Sequence, residues 1–467
     1  MARTEQRPLD ESSPHAAPTT LRGRFDRTAV RWRLDAAVVR RRLDATDMRA
    51  FARSSPARLV ALGLLLLGLC LFAGAVTSAE VGDRQHALDH LLNEAEPDAN
   101  SAQHLYTSLS VADAAAGTAF ISGGLEPKPV RDRYDQAIGE AAAELVAQSD
   151  NAGAPGAAPP DADTRLRTVV ATELPVYSGL IETARANNRE GHPVGAAYLS
   201  EASNLMQNTM LPRAQELQGH RSSAIARTQH DHVRPPWAAI ILPVLALAAL
   251  VAGQFYLARR WHRVLNPGLL AASATLLVLL AWTVIAGSVS AVSTTSGRDD
   301  GAVPGAELTE SRILAQQARA AETLKLVRRD ASGDYDHTFD TATARLDQLL
   351  THYPGDAPGS AEVARARTSL EHWRTAHQRM NDALGRGDFP AASEVAIGAD
   401  PSQASASVDT LDNALGAGIS DTRDALRNNI SDASRTLDFL APGALTLAAL
   451  AAAFVVAGLW PRLREYR

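Results

Sequence analysis

A single cysteine in 467 residues, Cys70, excludes an intrachain disulfide and any metal site built on several thiolates. Leu69 precedes it, where a lipid-anchored cysteine needs a small residue, so Cys70 reads as a small buried hydrophobe. Aromatic residues make up only 5 % of the chain, and β-branched alternation is nearly absent. A strand-built core is thereby excluded, and the Ala-rich remainder with clustered Gly and Pro predicts an all-α protein. Lysine occurs only at Lys128 and Lys325. Phosphate-binding Gly-rich loops, HExxH and nucleophile elbows are all missing, which argues against an enzyme and leaves no cofactor to assign. The nearest metal candidate is His230-Asp231-His232 with His220 close by. Imidazoles two residues apart on a helix point away from each other, so no metal site is expected there.

Charge is absent from four long stretches: Leu59 to Ala79, Pro236 to Ala258, Gly268 to Ala291 and Phe439 to Trp460. Each has about 20 residues or more, enough at about 1.5 Å per residue to cross a hydrocarbon core of about 30 Å. Thr77-Ser78-Ala79 imitates a signal-peptide cleavage site, but the preceding 58 residues are far longer than an n-region. The spans offer chiefly Gln254 and Pro243 as polar or helix-breaking features, too little for a transport path.

Arginine sets the orientation. Residues 1–58, 259–267 and 461–467 carry net charges of about +6, +3 and +2, and a four-span chain places all three on one side. The positive-inside rule makes that side the cytoplasm, with both termini there. The whole chain is at -6, so residues 80–235 and 292–438 together hold about -17, which disfavours nucleic acid or anionic lipid as their partner. The N-terminal tail, expected to be partly disordered, has a candidate amphipathic piece from Thr28 to Phe51. It suits either the inner leaflet or a cytoplasmic effector.

The order of span, long loop, span and short hairpin, then span, long loop and span, reads as a duplicated unit. In the first loop, helical spacing runs from Glu80 to Ser122, with Leu88, Leu91, Leu92, Leu105, Leu109, Ala112, Ala116 and Phe120 on the core face. Turns at Gly123 to Pro129 and Gly191 to Pro193, with a linker at Asn151 to Pro160, divide the loop into four helices. Their alternation predicts a four-helix head on a two-helix stalk, both turns lying at the far end. The second loop repeats the plan, with breaks at Ser332 to Asp334, Tyr353 to Gly355, Gly385 to Pro390 and near Gly398 and Pro401. The expected fold is four transmembrane helices carrying two tandem extracellular four-helix bundles.

Loop residues on a rigid bundle commonly carry recognition, so Gly123, Gly124, Glu126, Pro127, Asn187, Asn188 and Arg189 are candidate partner contacts; as terminators and caps they have a structural reading as well. Arg259, Arg260, Arg263 and Asn266 are the candidates on the cytoplasmic hairpin. Tyr177 and Tyr198 stand at core spacing.

Leu174 to Met206 (LPVYSGLIETARANNREGHPVGAAYLSEASNLM), Ala119 to Pro127 (AFISGGLEP) and Arg259 to Pro267 (RRWHRVLNP) resemble an actinobacterial membrane-protein family that partners a glutamine-binding lipoprotein and protein kinase G. The likeness runs from about Leu59 to the end, strongest in the first external domain and weakest in the second; the Arg-rich tail lies outside it. The resemblance implies a relay of amino-acid availability from the extracellular lipoprotein to the cytoplasmic serine/threonine kinase. A chemoreceptor-like protein binding a small ligand in its own bundle, and an envelope scaffold, are the alternatives; a homodimer is compatible with each.

Overall fold

The computed structural model describes residues 55–122, 126–147, 161–233, 237–261, 266–329, 333–398 and 400–464. Among them there are helices and no strands. The first polar half contains α1 (Ser55–His90), α2 (Glu96–Ser122), α3 (Lys128–Ala147), α4 (Ala162–Arg189), α5 (Val194–Leu205) and α6 (Leu211–Val233). Next come α7 (Trp237–Trp261) and α8 (Pro267–Ser296). The second half adds α9 (Val303–Arg328), α10 (Asp334–His352), α11 (Ser360–Gly385), α12 (Phe389–Ile397), α13 (Ala404–Leu437) and α14 (Leu440–Arg464).

Among the described residues, four helices are long and apolar enough to cross a membrane: within 58–122, 237–259, 267–328 and 404–461. They close into a ring in which α1 and α8 each pack against both α7 and α14. Small residues bring them together: a Cβ on Gly74 would meet Ala448 Cβ at 2.1 Å, and one on Gly268 would meet Gly458 Cα at 2.4 Å. Leu64, Phe72, Phe255, Leu277 and Ile285 face outward at 56 % exposure or more. Water would not tolerate such a belt; lipid does.

Among the described residues three π-turns interrupt the helices, at Leu91–Ala95, Met206–Met210 and Gly297–Ala302. Each is followed two residues later by a proline: Pro97, Pro212 and Pro304. A proline lacks the N–H that would reach back four residues, and its ring crowds that carbonyl. Widening the turn relieves the clash without ending the helix, so α1 runs on into α2 as 65 residues of nearly continuous helix, about 100 Å long. A sharper break separates α13 from α14, where Phe439 has φ 64°. Pro442 explains it, since its ring excludes the carbonyl of Asp438 from a continuous helix.

The stalk differs from the two-helix expectation. It is a four-helix bundle drawn from both halves, with Val81 and Leu88 of α1, Ile225 of α6, Ala286 of α8, and Leu426, Ile430 and Ala433 of α13 in one core. Polar pairs fasten the halves: Gln85 donates to Asp438 at 2.8 Å and Ser434 to Asp89 at 2.8 Å. Buried Glu96 holds both Arg423 and Arg427, the latter at 2.8 Å.

Beyond the stalk the two heads stand side by side. The first is built from α2 to α6 around Leu105, Leu109, Tyr177, Ile181 and Met206, with Ile313 of α9 completing its core. The second is built around Phe339, Leu346, Leu370, Trp373 and Leu411. Where α2 meets α9, a Cβ on Gly117 would come within 2.2 Å of Thr323 Cγ2, so a larger residue there has to displace that side chain. Asp409 of α13 bridges Arg133 of α3 at 3.1 Å and Arg319 of α9 at 3.0 Å, an ion triad across the seam.

Candidate functional site

The membrane-distal end of the first head is assembled by three chain segments. Pro127 begins α3, its carbonyl accepting from Val130 and Arg131 N–H at 3.0 and 3.2 Å. α4 starts at Asp161, whose side chain accepts from Thr164 N–H at 2.7 Å. It ends where Gly191 takes φ 71° and His192 N–H closes on Asn187 O at 2.9 Å. These ends bring the C-terminal turn of α4 against the start of α3 and the end of α2, since Asn188 Nδ2 donates to Phe120 O at 3.4 Å.

Arg185, 9 % exposed, is the centre of this end. Its guanidinium lies 4.2 Å from the Tyr134 ring centroid and pairs with Glu126 at 3.0 Å and Glu182 at 2.5 Å. Arg131 approaches the same two carboxylates at 3.8 and 3.6 Å. Nε of Arg185 is buried and has no acceptor among the described residues. Above this network opens a cleft of about 220 Å³. Its apolar wall is Ala116, Ala119, Phe120, Ile181, Ala184 and Leu199. Its polar wall is Glu126, Lys128, Arg131, Arg185, Asn188 and Arg189.

Of the residues singled out in the sequence, Glu126, Asn188 and Arg189 therefore share one cleft. Asn187 points back along its own helix, donating to Thr183 O at 2.9 Å. Pro127 acts through its carbonyl as a helix start. Gly123 and Gly124 lie outside the described residues, as does Arg263. Arg259 sits 4.8 Å over the Phe255 ring. Asn266 caps α8, accepting from Gly268 N–H at 3.1 Å, and ties the hairpin to α14 by donating to Gly458 O at 2.9 Å. Arg260 is placed by its backbone alone, and the side chains of His230, Asp231 and His232 lie outside the description. Tyr177 is fully buried, whereas Tyr198 is 37 % exposed and leaves the core.

Sequence reasoning missed two buried polar networks. In the first head, Asp113 accepts from Tyr177 OH at 3.3 Å, Ser203 Oγ at 3.0 Å and Gln207 Nε2 at 2.9 Å. Burial pushes its carboxyl up, and these three donors offset only part of the rise. In the second, Glu322 accepts from Trp373 Nε1 at 3.0 Å and lies 2.8 Å from His377 Nδ1. Lys325 binds Asp336 at 2.6 Å and Asn381 at 2.7 Å beside it. The only available signal was a polar residue at core spacing, such as Asp113 four after Leu109. Both networks rigidify their heads.

No curated protein and no solved structure matches the chain. Residues 87–230, from the stalk through the whole first head, match the family model of an actinobacterial sensor domain. That domain, carried on four helices long and apolar enough to cross a membrane, fits an actinobacterial membrane sensor.

Proposed function

We propose that the chain is a non-enzymatic transmembrane relay, with both heads outside the cell and both termini in the cytoplasm. The first head receives a solute-binding lipoprotein that senses glutamine or related amino acids, and the cytoplasmic face passes the signal to a serine/threonine kinase of the protein kinase G type. One observation carries the reading: helices of the head continue into the membrane, α1 and α2 as 65 residues interrupted only by a π-turn. A change of tilt or register at the head is therefore delivered mechanically to the cytoplasmic ends. The sensor-domain match and the arginines of residues 1–58, 259–267 and 461–467 support it.

The test is capture of the lipoprotein from intact cells by the tagged full-length chain. Deletion of residues 123–127, or replacement of Asn187, Asn188 and Arg189 by alanine, is expected to abolish capture. Undiminished capture by both variants would discard docking at the head tip. The cleft favours a second reading, direct binding of a small molecule by the head itself.

A further inference from the structure

Resting on the reading of the first head as the sensory part, we infer that the distal cleft is itself a binding site for a small organic carboxylate. Its volume of about 220 Å³, well above the minimum for a single water, has room for a small organic acid. The lining is divided in the way such a ligand requires. Ala116, Phe120, Ile181 and Leu199 offer apolar surface to a carbon chain. The same lining carries four cationic side chains, Lys128, Arg131, Arg185 and Arg189, against one carboxylate, Glu126.

The state of those cations indicates where an anionic group would go. Lys128 is engaged by Asp132 at 2.6 Å, and Arg131 is shared among Glu126, Asp135 and Glu182 at 3.6 to 3.8 Å. Glu126 and Glu182 neutralise the two terminal nitrogens of Arg185 but leave its buried Nε without an acceptor. A donor of that kind is costly to bury unpaired, and an incoming oxygen would satisfy it. Arg189 is exposed at the rim, and no carboxylate lies within ion-pair distance of it among the described residues. A carboxylate entering past Arg189 and settling toward Arg185 Nε gains a charge-assisted hydrogen bond at each end of its path. Its chain then covers the Ala116 and Phe120 side. The neutral amide of the same acid keeps the apolar contact and loses the charge, so the site discriminates by ionisation.

The experiment is thermal unfolding and calorimetric titration of the full-length chain in lipid nanodiscs, with glutarate, butyrate, butyramide and butylamine as probes. Glutarate or butyrate is expected to bind and raise the unfolding temperature, and butyramide and butylamine to leave it unchanged. Arg189→Ala should weaken the acid's binding at least tenfold, with partial recovery in Arg189→Lys. Ala119→Leu, which fills the cleft, should abolish binding. Arg189 is a surface side chain, so its variants fold whatever happens to Ala119→Leu. No response to either acid at millimolar concentration, or an equal response to acid and amide, would overturn the inference. That failure leaves the relay through a lipoprotein standing, because the relay is read by capture. Conversely, carboxylate binding by a native chain that captures no lipoprotein keeps the site and removes the relay.

Discussion

Three buried or half-buried aspartates titrate in opposite senses, Asp412 and Asp409 held low and Asp113 pushed up. Burial pushes the Asp412 carboxyl up, but the hydrogen bonds and charge of Arg312, with Gln316, outweigh it and hold the group below the usual 3.8. Arg312 reaches it through Nε and Nη2, both at 2.8 Å, and Gln316 at 2.9 Å. Asp412→Ala strands a largely buried guanidinium and is expected to cost about 3 kcal/mol, measurable by unfolding the full chain in detergent. Asp409, likewise pushed up by burial and brought below 3.8 by Arg319 and Arg133, acts in the same direction. Groups held low stabilise the fold above their unfolded pKa and lose that contribution as pH falls through the folded one. The unfolding temperature should therefore fall as the pH is lowered past about 4, less steeply in Arg133→Ala. Asp113 has the opposite sign: its raised pKa costs stability at pH values above 3.8. Asp113→Asn is expected to raise the unfolding temperature at pH 7, with a gain that shrinks toward pH 4. At this scale the sequence revealed the turn residues Glu126, Asn188 and Arg189 but concealed Arg185. In TARANNRE it looks like any surface arginine, and only packing against Tyr134, 51 residues upstream, buries it.

Helix by helix, the breaks marked by Gly and Pro were legible because they act locally. The turn before α10 uses Gly333 at φ 86° and the one before α12 uses Gly387 at φ 75°. What was not legible is how three further prolines are absorbed. Pro97, Pro212 and Pro304 would be breakers by propensity, yet each merely opens a π-turn, because the flanking helix is held in place by partners distant in sequence. At the third of these turns Gly301 lies against the Leu426 backbone, where an added Cβ would sit 2.8 Å from both Cα and N. Backbone cannot yield as a side chain can, so Gly301→Ala must part α13 from the turn, at a cost of about 1–3 kcal/mol. Gly82, with nothing within 4 Å of its added Cβ, is the matched control. Gly82→Ala should raise stability by about 1 kcal/mol, so thermal unfolding of the two variants should move in opposite directions.

For the molecule as a whole, hydrophobic runs gave the four spans directly, while the joining of the two halves was hidden. Nothing in local spacing says that Glu96 will meet Arg423 and Arg427 more than three hundred residues later. That clasp turns two predicted stalks into one four-helix column, so the heads cannot act on the membrane independently. The direction in which the column transmits depends on which side of the bilayer the heads occupy. Asp356 lies in an exposed turn of the second head, and the native Cys70 is buried among the spans. A cysteine introduced at Asp356 in a Cys70→Ser background gives a single reporter for a thiol reagent that cannot cross membranes. Labelling in intact cells is the expected outcome, because the arginine-rich segments emerge from the opposite ends of the same spans. Labelling only after permeabilisation would put the heads inside and overturn the relay, since a cytoplasmic head can meet neither a lipoprotein nor an external acid.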